Sequence, residues 1–262
     1  MLKKRLIGTV IVKNGWAVQS FGYRRYLPLG SPDCLVENLD RWGADEILVL
    51  SIDRSSAGLG PDFKLLKRLG QLGLGTPLIY GGGIRSVEDG LQVIKLGADR
   101  LCVDALLHDD IAAVRGLSLQ LGVQAVIAAL PLSCHEQHME WLDYRTKVST
   151  QVSVKDLTAI TSDIVSELLV IDWQHEGHPR GFDSRLIAHA SIPAKVPLIA
   201  FGGLNEPDQM TELLSQSSIA AVAVGNFLSY EEHAIQRFKK QLAGMPLRPP
   251  NYESTYSLLA DV

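Results

Sequence analysis

Two glycine pairs occupy nearly equivalent places in the two halves of this sequence. Gly82 and Gly83 lie 120 positions before Gly202 and Gly203. Each pair follows a short apolar run, and glycine at such a turn lets backbone N–H groups approach a phosphate with no Cβ in the way. The pairs predict one phosphate site in each half, although tight turns alone would also account for them.

The two predicted phosphate sites differ in charge. The first has Asp104 beside it, and an ionised carboxylate repels a phosphate. The second has no such group, so we expect it to bind an anion more strongly. The predicted members are Gly82, Gly83, Asp104 and Ala105 in the first site, and Gly177, Gly202, Gly203, Gly225 and Asn226 in the second.

Two pairs of histidines have spacings that would let both rings bind one metal ion. They are His135 with His138, and His175 with His178. Neither pair brings an obvious third ligand, so solvated loop histidines are the simpler interpretation, and we predict no metal site and no cofactor. The second pair follows a predicted strand and is the better candidate for substrate contact.

Eight short apolar runs alternate with eight stretches of helical periodicity along the 262 residues. Such runs are typical of buried parallel strands, and eight strand–helix units in this length predict an α/β protein, a closed (β/α)8 TIM barrel. The strands are expected near 5–12, 46–52, 77–80, 100–104, 124–131, 168–173, 197–201 and 219–225. The helices are expected near 32–43, 61–73, 86–96, 109–121, 153–166, 184–191, 206–216 and 231–243.

The sequence also repeats itself at an offset of about 121 residues. Segments 45–49 and 60–62 match segments 166–170 and 181–183. This repeat predicts a single barrel of two duplicated half-barrels, about 1–122 and 123–245. The segment 132–152 is too long for a plain connection and is expected to form a small hairpin after the fifth strand. Residues 246–262 form a predicted tail, which is either an unstructured end or, as its aromatic and apolar residues suggest, a segment that packs on the barrel wall or on a partner.

Four charged residues stand at the starts of predicted strands, where side chains converge at the N-terminal mouth of a parallel barrel. Two are positive and two are negative: Arg5, Glu46, Arg100 and Glu167. From their position alone, the simplest interpretation is a charge network that closes and stabilises the bottom of the barrel.

The composition is that of an ordinary globular protein. The sequence has 25 Lys and Arg against 29 Asp and Glu, a net charge of −4, with scattered basic residues, so nucleic acid and anionic lipid are not expected partners. Three cysteines without zinc-site spacing fit a reducing compartment. No apolar stretch reaches the ~18–20 residues of a membrane span, and we expect no signal peptide. We therefore expect a cytoplasmic protein with no membrane association.

Several short motifs keep a common register over nearly the whole chain. They are Lys4-Arg5-Leu6-Ile7, Val12-Lys13-Asn14-Gly15, Asp45-Glu46-Ile47, Gly81-Gly82-Gly83-Ile84, Leu96-Gly97-Ala98-Asp99-Arg100, Gly122-Val123-Gln124-Ala125-Val126, Glu176-Gly177 and Gly202-Gly203. Together they resemble the cyclase subunit of imidazole glycerol phosphate synthase. The resemblance implies a phosphate site in each half-barrel, a glutaminase subunit docked under the barrel, and ammonia drawn along the barrel axis. At the top face of that family, ammonia is used to cleave a bisphosphorylated aminoimidazole-carboxamide ribonucleotide into imidazole glycerol phosphate.

The same resemblance assigns roles at the bottom of the barrel. It implies that the four charged residues form an ammonia gate, with Arg100 in place of a lysine, and that Asp99 and Gln124 face the glutaminase.

The sequence departs from the family pattern at the top face. The family's general acid and base are aspartates that end strands one and five, and these positions are assigned to Ile11 and Leu130 here. Neither side chain can move a proton, so cyclase chemistry is predicted to be lost. Further departures are Gln19 for a lysine of the first loop, Ser51 for an aspartate, and Asp104-Ala105 for Asn-Thr.

The charged residues at the bottom of the barrel match the family pattern, whereas the two aspartates expected at the top face are missing. This combination indicates a subunit that still receives ammonia but does not catalyse the cyclase reaction. Similar cyclase-like proteins are associated with surface-sugar gene sets, where they partner a glutaminase and a separate amidotransferase that converts a sugar N-acetyl group to an acetamidino group. Two alternatives remain open. One is an active cyclase whose acids have moved to Asp53, Asp104, Asp172 or His175. The other is a stand-alone barrel enzyme that acts on another phosphorylated sugar through Asp104, His175 and His178.

Overall fold

Eight parallel strands close into a barrel in the computed structural model, which describes residues 3–135, 138–152, 163–191 and 196–247. Consecutive barrel strands pair in chain order, and the last strand pairs with the first through Arg5 and Ala221. The barrel strands are β1 (Arg5–Lys13), β4 (Glu46–Ser51), β5 (Leu78–Gly81), β6 (Arg100–Val103), β7 (Val126–His135), β10 (Glu167–Asp172), β11 (Leu198–Phe201) and β12 (Ile219–Val224). The predicted TIM barrel is confirmed.

Helices cover the outside of this barrel. They are α1 (Pro32–Arg41), α2 (Phe63–Gly70), α3 (Val87–Lys95), α4 (Ala105–Asp109), α5 (Ile111–Leu121), α6 (Arg185–Ser191), α7 (Pro207–Ser215) and α8 (Ala234–Gln241). Capping side chains fix several starts: Asp62 accepts a hydrogen bond from the N–H of Leu65 at 3.0 Å, and Asp110 accepts one from Ala113 at 3.0 Å. The helix predicted over 153–166 falls largely on residues outside the described ranges, and residues 163–166 are not helical.

Four further strands extend two of the barrel strands as antiparallel additions. They are β2 (Trp16–Phe21), β3 (Arg25–Gly30), β8 (His138–Asp143) and β9 (Val148–Val152). Strands β8 and β9 continue β7 and confirm the predicted addition after the fifth barrel strand. Strands β2 and β3 replace the loop expected after β1, because the exposed pair Asn14-Gly15 takes positive φ and makes a two-residue turn from β1 into β2.

The strand side chains alternate between two apolar layers, since successive residues of a strand point to opposite faces. One layer lies between the strands and the helices and includes Leu6 and Val49. The other fills the interior of the barrel and includes Ile7 and Leu48. The barrel interior is therefore an apolar column that separates the bottom of the barrel from its top face.

The start of the predicted tail is tied to the start of the barrel. The N–H of Lys4 donates to the carbonyl of Pro246 at 3.0 Å, and Lys4 forms a β-bridge with Leu247. Residues 248–262 lie beyond the part of the chain that the structure describes, so the packing of the tail stays a prediction. No helix within the described ranges is long and apolar enough to cross a membrane.

Candidate functional site

Four charged side chains form a ring at the bottom of the barrel. Arg5 contacts Glu46 at 3.0 Å and also contacts Glu167, while Arg100 contacts Glu46 at 3.3 Å and Glu167 at 2.6 Å. Each arginine bridges both glutamates, and no ring side chain is more than 16% exposed. Burial raises the pKa of Glu46 against the attraction of the two arginines. The structure brings all four predicted residues together, and their role as a gate stays a prediction.

The two arginines of the ring are held differently. Arg100 also donates to the carbonyl of Gln124 at 3.1 Å and to the hydroxyl of Ser166 at 2.8 Å. In the described part of the chain, the side-chain hydrogen bonds of Arg5 all go to the two glutamates. Arg5 is therefore the arginine that can move without breaking a contact to the backbone.

The surroundings of the ring contain both exposed and buried polar groups. Asp99 and Gln124 are exposed at the same mouth of the barrel, where Asp99 accepts a hydrogen bond from the N–H of Leu78 at 2.7 Å. Their predicted contact with a glutaminase remains a proposal. The sequence did not reveal the ion pair between Asp45 and Lys239, whose side chains meet at 2.8 Å and are almost completely buried.

The top of the barrel has no carboxylate at the ends of its first and fifth strands. Ile11 lies in the interior layer, whereas Leu130 packs in the layer between strands and helices. The assignment of Leu130 to the mouth of the barrel is therefore wrong, because the alternation of side chains puts Ala129 and Pro131 on the inner face. Ala129 belongs to the interior layer, and Pro131 pairs with Ile171 of that layer. Neither residue can transfer a proton, so the expected lack of a carboxylate here does not depend on Leu130.

The first predicted phosphate site opens into a cavity at the top face that is partly open to solvent. The glycine turn is required there, since a Cβ on Gly82 would lie 2.2 Å from the carbonyl oxygen of Ser51. The N–H of Gly83 donates to the hydroxyl of Ser55 at 3.2 Å. The cavity lining includes Tyr23, Ser51, Gly82, Gly83, Cys102, Asp104, Ala105, Tyr144 and Arg145.

The lining of this cavity includes buried polar groups. Burial raises the pKa of Asp104 to about 8, so its carboxyl is mostly protonated at neutral pH, and the repulsion expected to weaken the first site is largely removed there. Buried polar atoms without a close hydrogen bond in the described structure occur on Asp104 and Ser51, and the hydroxyls of Tyr23 and Tyr144 interact with each other. A buried group without a hydrogen bond is costly, and a ligand that enters the cavity can supply the missing bond.

The second predicted phosphate site has the same backbone conformation but is partly filled by the chain itself. The φ angles of Gly202 and Gly203 are 113° and 72°, against 118° and 74° for the first pair. The side chain of Asn226 donates to the carbonyl of Ser20 at 2.7 Å and accepts from its N–H at 3.2 Å. A Cβ on Gly177 would lie 1.8 Å from that same carbonyl oxygen. Strand β2 therefore occupies the side chain of Asn226, one of the groups predicted for a phosphate.

Asp172 and His175 form an ordered pair in the second half of the barrel. The Nδ1 atom of His175 lies 2.6 Å from a carboxylate oxygen of Asp172, which also accepts from the N–H of Asp183 at 2.8 Å. Burial raises the pKa of Asp172 against these hydrogen bonds. Neither residue lines the cavity around Asp104, so the three candidate catalytic residues do not converge on one site.

The remaining predicted histidines have ordinary surroundings. His178 packs against the ring of Phe21 at 5.6 Å. His135 and His138 both face Glu140, at 3.6 Å and 3.4 Å. Among the described residues, no group of three or more His, Cys, Asp or Glu side chains is arranged to hold a metal ion.

Glu176 is a buried carboxyl whose role the sequence did not reveal. It accepts hydrogen bonds from the hydroxyl of Ser20 at 2.8 Å and from the N–H of Tyr23 at 3.3 Å, and its carbonyl accepts from Gly22. Burial raises its pKa to about 7. Glu176 therefore fixes the tip of the β2–β3 hairpin at the top face. In the sequence, the feature that could have indicated this role is a carboxylate next to a glycine in the sixth strand–helix loop.

Residues 5–234 match the model of a family described as histidine biosynthesis protein. The chain belongs to this family. A Vibrio vulnificus protein provisionally named imidazole glycerol phosphate synthase subunit hisF2 is 28% identical over 94% of this chain and 91% of its own length. The imidazole glycerol phosphate synthase subunits HisF of Staphylococcus epidermidis and Thermococcus gammatolerans are 27% and 26% identical, over 92% and 95% of this chain and 97% and 99% of their own lengths. The resemblance to the cyclase subunit is confirmed.

The two ends of this barrel differ in how closely they match the pattern that the resemblance to the cyclase subunit implies. Its bottom ring has the full complement of charges that the family pattern implies, with Arg100 in place of a lysine. Its top face has Ile11, Ala129 and Pro131 where a carboxylate would be needed for proton transfer. The first cavity has polar side chains in its wall, whereas neither the first nor the fifth barrel strand brings a carboxylate to the inner face at the top of the barrel.

Proposed function

We propose that this chain is the barrel subunit of a glutamine amidotransferase complex. It receives ammonia from a glutaminase docked below the barrel, conducts it along the barrel axis, and supplies a reaction other than cyclisation. The observation that carries the proposal is the contrast between the barrel ends: a four-membered ring of ion pairs below, and apolar Ile11, Ala129 and Pro131 above.

The interior of the barrel supports this proposal because it suits neutral ammonia. Ile7, Leu48, Ile79 and Leu169 belong to the apolar column above the ring. Moving an ammonium ion into such surroundings costs far more than moving a neutral molecule. The column therefore favours NH3, the nucleophilic form, and excludes the ammonium ion.

The acceptor that we propose is a sugar N-acetyl group, converted to an acetamidino group by a separate amidotransferase at the top face. Two points support it. The chain resembles cyclase-like proteins associated with surface-sugar gene sets, and it has no carboxylate at the strand ends where cyclisation would need one.

The test is co-purification with the glutaminase encoded beside this chain, followed by glutamine hydrolysis measured with and without the barrel. We expect a heterodimer and a several-fold change in hydrolysis. Gln124→Lys, at the exposed mouth, should weaken the association, whereas Arg68→Ala, which removes a surface ion pair with Asp33, should not. If the two proteins neither associate nor change each other's activity, the proposal is wrong.

A second candidate function, an active cyclase with relocated acids, is favoured by Asp104. A carboxyl with a pKa of about 8 in a cavity holds a proton at neutral pH and can serve as a general acid. Turnover of the bisphosphorylated ribonucleotide with free ammonia, abolished by Asp104→Asn, would support this candidate over the first.

A further inference from the structure

A groove outside the first cavity crosses the top face between the two antiparallel additions. It contains about 1090 Å³ of space, part of it open solvent, and is bounded by the β2–β3 hairpin on one side and by strands β8 and β9 on the other. Tyr23 lines both the groove and the first cavity, so its ring stands between them. The charged residues in the wall of the groove are Lys13, Arg24, Asp53 and Lys147.

Each of the three cations in the groove rests on an aromatic ring. The ammonium of Lys13 lies 4.5 Å from the ring centre of Tyr26, the guanidinium of Arg24 lies 5.5 Å from that of Trp173, and the ammonium of Lys147 lies 5.6 Å from that of Tyr144. Such contacts hold a cation in place but leave its charge unneutralised.

The three cations also lack carboxylate partners in the described part of the chain. None of them forms an ion pair there, and Asp53 is the single acidic residue of the groove wall, with one carboxylate oxygen bound to the N–H of Asn14 at 2.9 Å. Arg145 gives a matched comparison, since it lies 121 positions after Arg24 and pairs with both Asp143 and Asp109.

The positive charges are close enough to affect one another. The pKa of Lys147 is lowered by burial and then by the nearby charges of Lys13 and Arg24. Asp143, which is outside the groove wall, raises it by a smaller effect. Three cations against one carboxylate leave the groove with a net charge of about +2 at neutral pH. The three positive charges together exceed the charge of about −1.5 to −2 that a single phosphate group carries, and the additional oxygens of a diphosphate allow it to contact all three.

We propose that this groove binds the diphosphate group of a small-molecule ligand, with Lys13, Arg24 and Lys147 around it. The site is separate from the predicted phosphate sites, because Tyr23 lies between the groove and the first of them. The inference goes beyond the proposed function, since binding requires neither ammonia nor a glutaminase.

The test is isothermal titration of the full chain with inorganic pyrophosphate and, separately, with inorganic phosphate at low ionic strength. We expect pyrophosphate to bind at least about tenfold more tightly than phosphate. Lys147→Met should weaken pyrophosphate binding about tenfold or more, as expected for losing a charged hydrogen-bond donor. Asp53→Asn should tighten it, because the repelling charge is removed while an acceptor for the Asn14 N–H is kept.

The matched control is Lys64→Met, which removes one positive charge from an exposed position of α2 and should leave the affinity unchanged. A parallel titration with uridine diphosphate separates two sources of the same group: tighter binding than pyrophosphate indicates a nucleotide ligand, and equal binding indicates diphosphate itself.

The proposal is overturned if Lys147→Met and Lys64→Met have equal effects. It is also overturned if Ser51→Ala, in the first cavity, abolishes pyrophosphate binding while Lys147→Met leaves it intact, because the ligand would then occupy the cavity. Loss of ammonia coupling through the bottom ring would not change these titrations, so the two proposals can fail independently.

Discussion

Removing Arg5 from the bottom ring leaves Glu46 and Glu167 to share one guanidinium in a mostly buried position. Breaking a buried ion pair by deleting one partner costs about 3–5 kcal/mol, which corresponds to a fall in Tm of about 6–20 °C for a protein of this size. The second variant to compare is Arg5→Ala with Glu167→Gln, which removes one positive and one negative charge together. We expect the double variant to be more stable than Arg5→Ala, because the remaining Glu46 and Arg100 are balanced.

The free energy of unfolding of both variants is measured by urea unfolding followed by circular dichroism. Repeating the measurement at several pH values provides a second test. In Arg5→Ala the folded state takes up a proton on one of the two glutamates, so the folded pKa lies above the unfolded one. Stability from such a group is present at low pH and is lost as pH rises through the folded pKa. The deficit of Arg5→Ala against the unmodified chain should therefore be small below about pH 5 and widen towards pH 8. If adding Glu167→Gln lowers stability further, the ring is not the coupled network inferred here.

The same double variant tests the gate. It opens one side of the ring without leaving an unpaired charge, so it should keep glutaminase binding but release ammonia to solvent, measured as glutamine hydrolysis without amidated product. If amidation stays coupled to hydrolysis in this variant, the ring is a structural plug and not a gate.

Three other outcomes are expected. Asp104→Asn should be more stable than the unmodified chain at pH 8 by at least about 1 kcal/mol. The folded pKa of Asp104, about 8, lies above its unfolded value, so the unmodified chain loses stability as pH rises between the two values. If Asp104→Asn leaves the pH dependence of unfolding unchanged, this prediction is wrong. Lys239→Met should cost about 3–5 kcal/mol in urea unfolding, because it leaves Asp45 buried and unpaired, and Asp45→Asn added to it should restore part of that loss. With free ammonia and the bisphosphorylated ribonucleotide, no turnover is expected from a barrel with Ile11 and Pro131 at its mouth, and turnover within about a hundredfold of a competent cyclase would refute this.

The barrel and its bottom ring were predictable from the sequence because both follow local rules. Buried parallel strands produce apolar runs, and a charge at a strand start must face the barrel mouth. The hairpin after β1 was also within reach, since Asn14-Gly15 between apolar segments is a strong local signal for a two-residue turn.

The details of the top face were not predictable in the same way. The placement of Leu130 failed by one residue, because a shift of one position reverses the face of a strand on which a side chain lies. The charge of Asp104 depends on burial by distant segments, so its pKa of about 8 has no local signature. The clamp between Asn226 and Ser20 joins residues more than two hundred positions apart, and no spacing in the sequence indicates it.

A pair of tyrosines at the top of the barrel lies at positions related by the sequence repeat. Tyr23 and Tyr144 are separated by 121 positions, each is followed by an arginine, and their rings meet at 4.8 Å. In a twofold assembly of identical copies, a residue near the axis contacts its own counterpart. Here the two tyrosines lie in one polypeptide, at positions related by the 121-residue sequence repeat, so the residues that follow them can differ. Arg24 forms no ion pair in the described part of the chain, whereas Arg145 pairs with two carboxylates, so the charge around the barrel mouth is distributed asymmetrically.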